Sequence, residues 1–120
     1  MIYIDKKNTM IYSIITIFGL AAILGMILLS YVLRSIETPK GVMVVHGLLA
    51  ATGLVLLINY CVSHKPGPFE SMIVFVIAAL GGFILVIKDL TGKPVPKWLG
   101  VVHGLAAVAG FLLLIVFALK

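Results

Sequence analysis

The stretch Val44-Val45-His46-Gly47-Leu48 occurs again 57 residues later as Val101-Val102-His103-Gly104-Leu105, each time inside a long apolar run. Laying residues 14–58 over 71–115 without a gap gives 19 identities in 45 positions, where roughly 4 or 5 would arise by chance in so apolar a composition. The identities gather at Pro39/Pro96, Lys40/Lys97, the Val-Val-His-Gly-Leu block, Ala50/Ala107, Gly53/Gly110 and the Leu-Leu-Ile runs at 56–58 and 113–115. The sequence therefore reads as two tandem repeats, the first over about 10–62 and the second over about 69–119, in a single membrane domain covering 1–120.

Composition fixes the solvent in which such a unit folds. The chain is 62% hydrophobic and 11% charged, with a mean hydropathy of +1.27, whereas water-soluble domains are nearer half apolar. An integral membrane protein in contact with the lipid bilayer is expected. The formal charge of +5 does not imply a nucleic-acid partner, because every Lys and Arg falls outside the apolar cores of the segments, where cations anchor a span at the membrane surface. A single Cys61 excludes an intrachain disulfide and a cysteine-only zinc site, and it reads as a small hydrophobe. Lys6 and Lys7 precede an apolar run much as in a secretory signal. That run extends from Met10 to Leu33, too long for a signal core, and no small-x-small site follows it, so it reads as a retained span.

Residues 1–9 form a polar lead, and the remaining runs at 40–62, 69–87 and 97–119 supply three further helices. Thr38 suits an N-cap and Pro39 the first turn of the second helix, while Ser63-His64-Lys65-Pro66-Gly67-Pro68 is a turn that leaves His64 solvated. Short connections make neighbours antiparallel, so the expected fold is all-α: a four-transmembrane-helix up-down-up-down bundle built from two tandem two-helix repeats. Both termini then share one side, and His46 and His103 lie at one depth on helices 2 and 4, diagonal partners running the same way. Four cations on the terminal side face five on the other. This near tie, read by the positive-inside rule, leans towards a cytoplasmic position for the histidine-proximal loops in a bacterial inner membrane.

His46 and His103 are the only His, Lys, Arg, Asp or Glu residues inside the four predicted spans away from their ends. A polar side chain at that depth is a functional-site hypothesis by default, and neutral imidazole is a common metal ligand and an axial ligand of haem iron. Ala50 and Gly53 follow His46 at four and seven residues, as Ala107 and Gly110 follow His103, which places small residues on the histidine stripe. Gly25 and Gly82 on the partner helices reach similar depth. Diagonal helices stand too far apart for the imidazoles to bond each other, and no Asp, Glu or third His is available at that depth to complete a zinc or copper site. Haem brings four nitrogens of its own and asks for two. Haem b between helices 2 and 4, with His46 and His103 as iron ligands, the six small residues around it and Arg34, Lys40 and Lys97 near its propionates, is the leading expectation. Small residues also serve close helix packing, cations also snorkel, and the histidines could instead make a helix–helix hydrogen bond.

Histidines buried on parallel helices of a four-helix bundle, with Gly47/Gly104, Ala50/Ala107 and Gly53/Gly110 beside them, resemble the b-type transmembrane cytochromes, including the cytochrome b561-like proteins. The resemblance implies one-electron transfer, with a quinol (quinone) or a redox partner protein exchanging electrons near one face. Those proteins commonly carry two pairs of histidines for two haems. One pair here implies no two-haem path across the bilayer. With both axial positions filled, an electron carrier is expected rather than an oxygen-activating enzyme. The other readings are a haem carrier or sensor, a non-catalytic accessory subunit, and a small transporter, the last disfavoured because Asp5, Glu37, Glu70 and Asp89 all fall at termini, loops or helix ends. Gly81 and Gly82 leave small surface that would allow a homodimer as well as a monomer.

Overall fold

A computed structural model describes residues 6–120; the first five residues of the polar lead lie outside the described residues. Four α-helices follow one another: α1 Lys6–Leu33, α2 Lys40–Ser63, α3 Phe69–Leu90 and α4 Lys97–Ala118. No strand occurs among the described residues. Each helix is long and apolar enough to cross a membrane, and the 52 Å long axis exceeds a hydrocarbon core of about 30 Å. Large apolar side chains such as Leu48, 64% exposed, and Phe83, 67% exposed, point outwards, a surface compatible with lipid and ill suited to water.

Two boundaries differ from the hydropathy reading. Among the described residues helix α1 extends back to Lys6, beyond the expected start at about Met10, because the backbone does not have to stop where the apolar run does. Helix α3 continues through Lys88 and Asp89 to Leu90. Thr38 does not cap α2. The capping position is Pro39, with no side-chain capping bond, and the Thr38 hydroxyl donates instead to the Asp89 carboxylate. Lys40 Nζ completes this cluster, 2.8 Å from Asp89 Oδ1 and 3.1 Å from Thr38 Oγ1. A longer-range charged acceptor won over a local backbone donor.

The two histidine-proximal loops open alike. Ile36 N–H donates to the Tyr31 carbonyl across Ser35, and Lys93 N–H to the Lys88 carbonyl across Gly92, the six-to-one closure of a Schellman ending. The residue in the left-handed region is Ser35 at φ 55° in one loop and Gly92 at φ 71° in the other.

Helix directions follow from which residues touch. On α1 and α2, Gly25 faces His46 while Gly53 faces Phe18 and Ile17; on α3 and α4, Gly82 faces His103 while Gly110 faces Phe75. In both pairs one number rises as the other falls, as in antiparallel neighbours. Helix α4 also packs antiparallel on α1, with Gly100 against Leu29 and Val32 and Gly19 against Phe111. The α2–α3 seam is the most thinly packed of the four, and no Cα of α2 comes within 8 Å of one in α4, nor of α1 in α3. These are the diagonals of a four-cornered bundle.

The core is concentrated away from the histidines. Ile14, Leu57, Tyr60, Cys61, Ser71 and Leu114 are the largest fully buried side chains, and all six lie between the Phe18 and Phe75 level and the end that holds the start of α1. Cys61 is one apolar element of that core. The left-handed turn residues set a first expectation. Ser35→Gly should raise the melting temperature in detergent slightly, and Gly92→Ala should lower it by an amount worth about 1 kcal/mol, read from parallel thermal unfolding curves.

Candidate functional site

His46 and His103 face each other across the bundle diagonal, with ring centroids 6.2 Å apart and ring planes at 84°. Both are half-buried. Each imidazole bonds to a backbone carbonyl of the neighbouring helix: His46 Nδ1 lies 2.8 Å from the Ala21 carbonyl oxygen, and His103 Nδ1 lies 2.7 Å from that of Ala78. A carbonyl can only accept, so in the neutral ring the proton sits on Nδ1 and Nε2 is left as a lone-pair donor. Ala21 and Ala78 are themselves 57 positions apart, so one contact is made twice.

Four glycines set the shape around these rings. A Cβ built on Gly25 would stand 2.9 Å from His46 Cε1, and one on Gly82 would stand 2.8 Å from His103 Cε1. One layer further from the loops, a Cβ on Gly53 would lie 3.0 Å from the Phe18 ring and one on Gly110 3.2 Å from the Phe75 ring. Phe18 and Phe75 stack on each other with centroids 3.9 Å apart and planes at 4°. The notches at Gly53 and Gly110, read from the sequence as clearance for a flat ligand, are therefore occupied by phenyl rings, and those at Gly25 and Gly82 by the imidazoles themselves. Ala50 and Ala107 are half-buried between the histidine and phenylalanine levels.

The basic residues fare unequally. Arg34 turns back on its own helix, bonding Ser30 through Nε and Nη2 and lying over the Tyr31 ring. Lys40 is held by Asp89 and Thr38. Lys97 lines a cleft of about 330 Å³ at the loop end, together with Glu37, Thr38 and Asp89. A second cleft, of about 250 Å³, lies at the opposite end beside Glu70, Ser71 and Lys120. Neither is lined by a histidine. Among the described residues no group of three or more His, Cys, Asp or Glu could hold a metal ion, so any metal at the histidine pair takes its other donors from elsewhere.

His64 is half-buried rather than fully solvated as its turn suggested. Its ring stacks on Tyr60 with centroids 4.5 Å apart, and its Nδ1 is buried without a hydrogen-bond partner. Because it belongs to the opposite end, it plays no part in the pair.

Sequence reasoning found the histidines and the glycines, but it missed the carbonyl partners and the phenylalanine layer. Both left a trace: Phe18/Phe75 and Ala21/Ala78 are identities of the 57-residue register. If the glycine notches belong to the phenyl rings, then Gly53→Leu and Gly110→Leu should each lower stability by about 1–3 kcal/mol through overpacking, measured by thermal unfolding in detergent. Gly47→Ala, where an added Cβ meets nothing within 4 Å, should be neutral.

Comparison with protein-family models, with curated proteins and with solved structures finds no match to this chain.

Proposed function

We propose that the chain is a minimal b-type cytochrome of the membrane, in which His46 and His103 take the two axial positions of one haem b and the protein carries single electrons. One observation carries the reading: two imidazoles with both Nδ1 atoms engaged on carbonyls stand with centroids 6.2 Å apart. Two imidazoles on opposite sides of one metal, with metal–nitrogen bonds of about 2 Å each, have ring centres roughly 6 Å apart. The ring nitrogen remote from a ligand is commonly held by a backbone carbonyl or carboxylate in just this way.

The donor set also suits a group that supplies its own nitrogens, since among the described residues no third His, Cys, Asp or Glu joins the pair. Packing is compatible with such a guest. Between the phenylalanine layer and the loops the side chains less exposed than a tenth are Ala21, Ala78, Met43 and Thr38, and none of these is large and fully buried. Phe18 and Phe75 would floor the site, Gly25 and Gly82 would flank it, and Lys97 at the loop-end cleft would meet a propionate. Bound haem would supply a one-electron couple, and the chain would contribute one imidazole nitrogen each from His46 and His103. Ligation by both His46 and His103 would leave neither oxygen nor a substrate an open position on the iron. Electrons would pass at the histidine end, to or from a quinol or a partner protein, with that end towards the cytoplasm of a bacterial inner membrane.

A second reading, an accessory subunit without a cofactor, draws on the same hydrogen bonds, because each imidazole already has a partner on the adjoining helix. The visible spectrum separates the two. Protein produced with haem available and purified in detergent should show a sharp low-spin Soret band, with resolved α and β bands after dithionite. His46→Ala and His103→Ala should each abolish that spectrum or convert it to high-spin, and His64→Ala should leave it unchanged. A colourless protein would favour the accessory subunit, and a wild-type spectrum in both single histidine variants would show that other residues hold the iron.

A further inference from the structure

We infer that Gly25 and Gly82 are positioning residues that decide which nitrogen of His46 and His103 carries the proton. The carbonyls that receive the imidazoles belong to Ala21 and Ala78, four residues before these glycines. In an α-helix a carbonyl accepts the N–H four residues on, so each of these two carbonyls already serves its glycine and takes a second bond from the histidine. A side chain at position 25 or 82 would stand over that carbonyl and close the approach.

The distances show how little slack there is. A Cβ at Gly25 would come within 2.9 Å of His46 Cε1 and 3.4 Å of Nδ1, and one at Gly82 within 2.8 Å of His103 Cε1 and 3.3 Å of Nδ1. Nothing flexible yields at these contacts. The imidazole is a rigid ring on a short stem, and swinging it away from the glycine draws Nδ1 off the carbonyl. Other glycines near the pair lack this property: at Gly81 an added Cβ would meet His103 only at 3.9 Å or more, and at Gly47 it would meet nothing within 4 Å.

The tautomer follows from the bond. With a carbonyl at Nδ1 the neutral ring must keep its proton there, and Nε2 presents its lone pair; without it, Nε2–H becomes available and the lone pair turns to the wrong side. An unpartnered N–H in so apolar a place is costly, which makes the choice firm. Each alanine–glycine pair, spaced four apart on α1 and on α3, is thus both acceptor and seat for one imidazole. The consequence for iron binding rests on the cytochrome reading, whereas the tautomer does not.

Nitrogen NMR of haem-free protein labelled at histidine and held in detergent micelles tests the inference directly. Wild-type His46 and His103 should both show the Nδ1–H form. Gly25→Ala should remove that form from His46 and leave His103 as it was, Gly82→Ala should do the reverse, and Gly47→Ala and Gly81→Ala should change neither. Nε2–H tautomers in the wild-type protein would overturn the inference without any variant, and so would an unchanged Nδ1–H pattern in folded Gly25→Ala and Gly82→Ala proteins. On haem-loaded protein the same two variants should shift the midpoint potential or yield a high-spin fraction, while Gly47→Ala keeps the wild-type values. A wild-type protein that takes up no haem yet shows the expected tautomers would refute the cytochrome and leave the positioning role intact.

Discussion

An imidazole in an apolar bundle has one N–H to satisfy, and the acceptors that a neighbouring helix offers are carbonyls already bonded within it. The arrangement at His46 and Ala21, and again at His103 and Ala78, meets that constraint by letting a carbonyl accept twice. This needs the ring to lie close against helix backbone, and only a residue without a side chain permits so close an approach. Depth, ring direction and proton position are settled together by that one contact. Both histidines are then turned to the same diagonal, with ring centroids 6.2 Å apart and ring planes at 84°.

Much of this was legible in the sequence. Four apolar runs separated by Pro- and Gly-containing links correspond to α1–α4 within a few residues, because hydropathy over a span is a strong signal and Lys40/Pro39 and Lys97/Pro96 mark sharp helix starts. The 57-residue register also singled out the histidines and the glycines at 25, 53, 82 and 110. What a glycine makes room for was not legible. A missing Cβ reads the same in a sequence whether a phenyl ring, an imidazole or a ligand fills the gap, and only packing shows Phe18 and Phe75 in two of these notches. Thr38 misled for a related reason: local spacing favours capping, but Asp89 is remote in sequence and close in space, and a carboxylate is the stronger acceptor.

The two halves of the chain match at the histidine, glycine and phenylalanine contacts and differ at the rim. Thr38, Lys40 and Asp89 form a polar cluster across the α2–α3 seam, and the register places Val95, Lys97 and Val32 at the corresponding positions, so the α4–α1 seam has no such cluster. It closes instead with Gly100 and Gly104 against Leu29. One seam is apolar and close, the other thin and tied at its end by charge. An ion pair in the interfacial region loses strength to water and salt far more readily than apolar packing does.

The uneven depth of the core carries a mechanical meaning. With its bulkiest interior side chains gathered beyond the Phe18–Phe75 stack, the bundle has most of its close packing at one end and little of it at the histidine end, and close packing is what resists deformation. A deformation confined to the histidine end would leave the packing among Tyr60, Leu57 and Leu114 untouched. The stacked aromatic pair marks the boundary between those two levels.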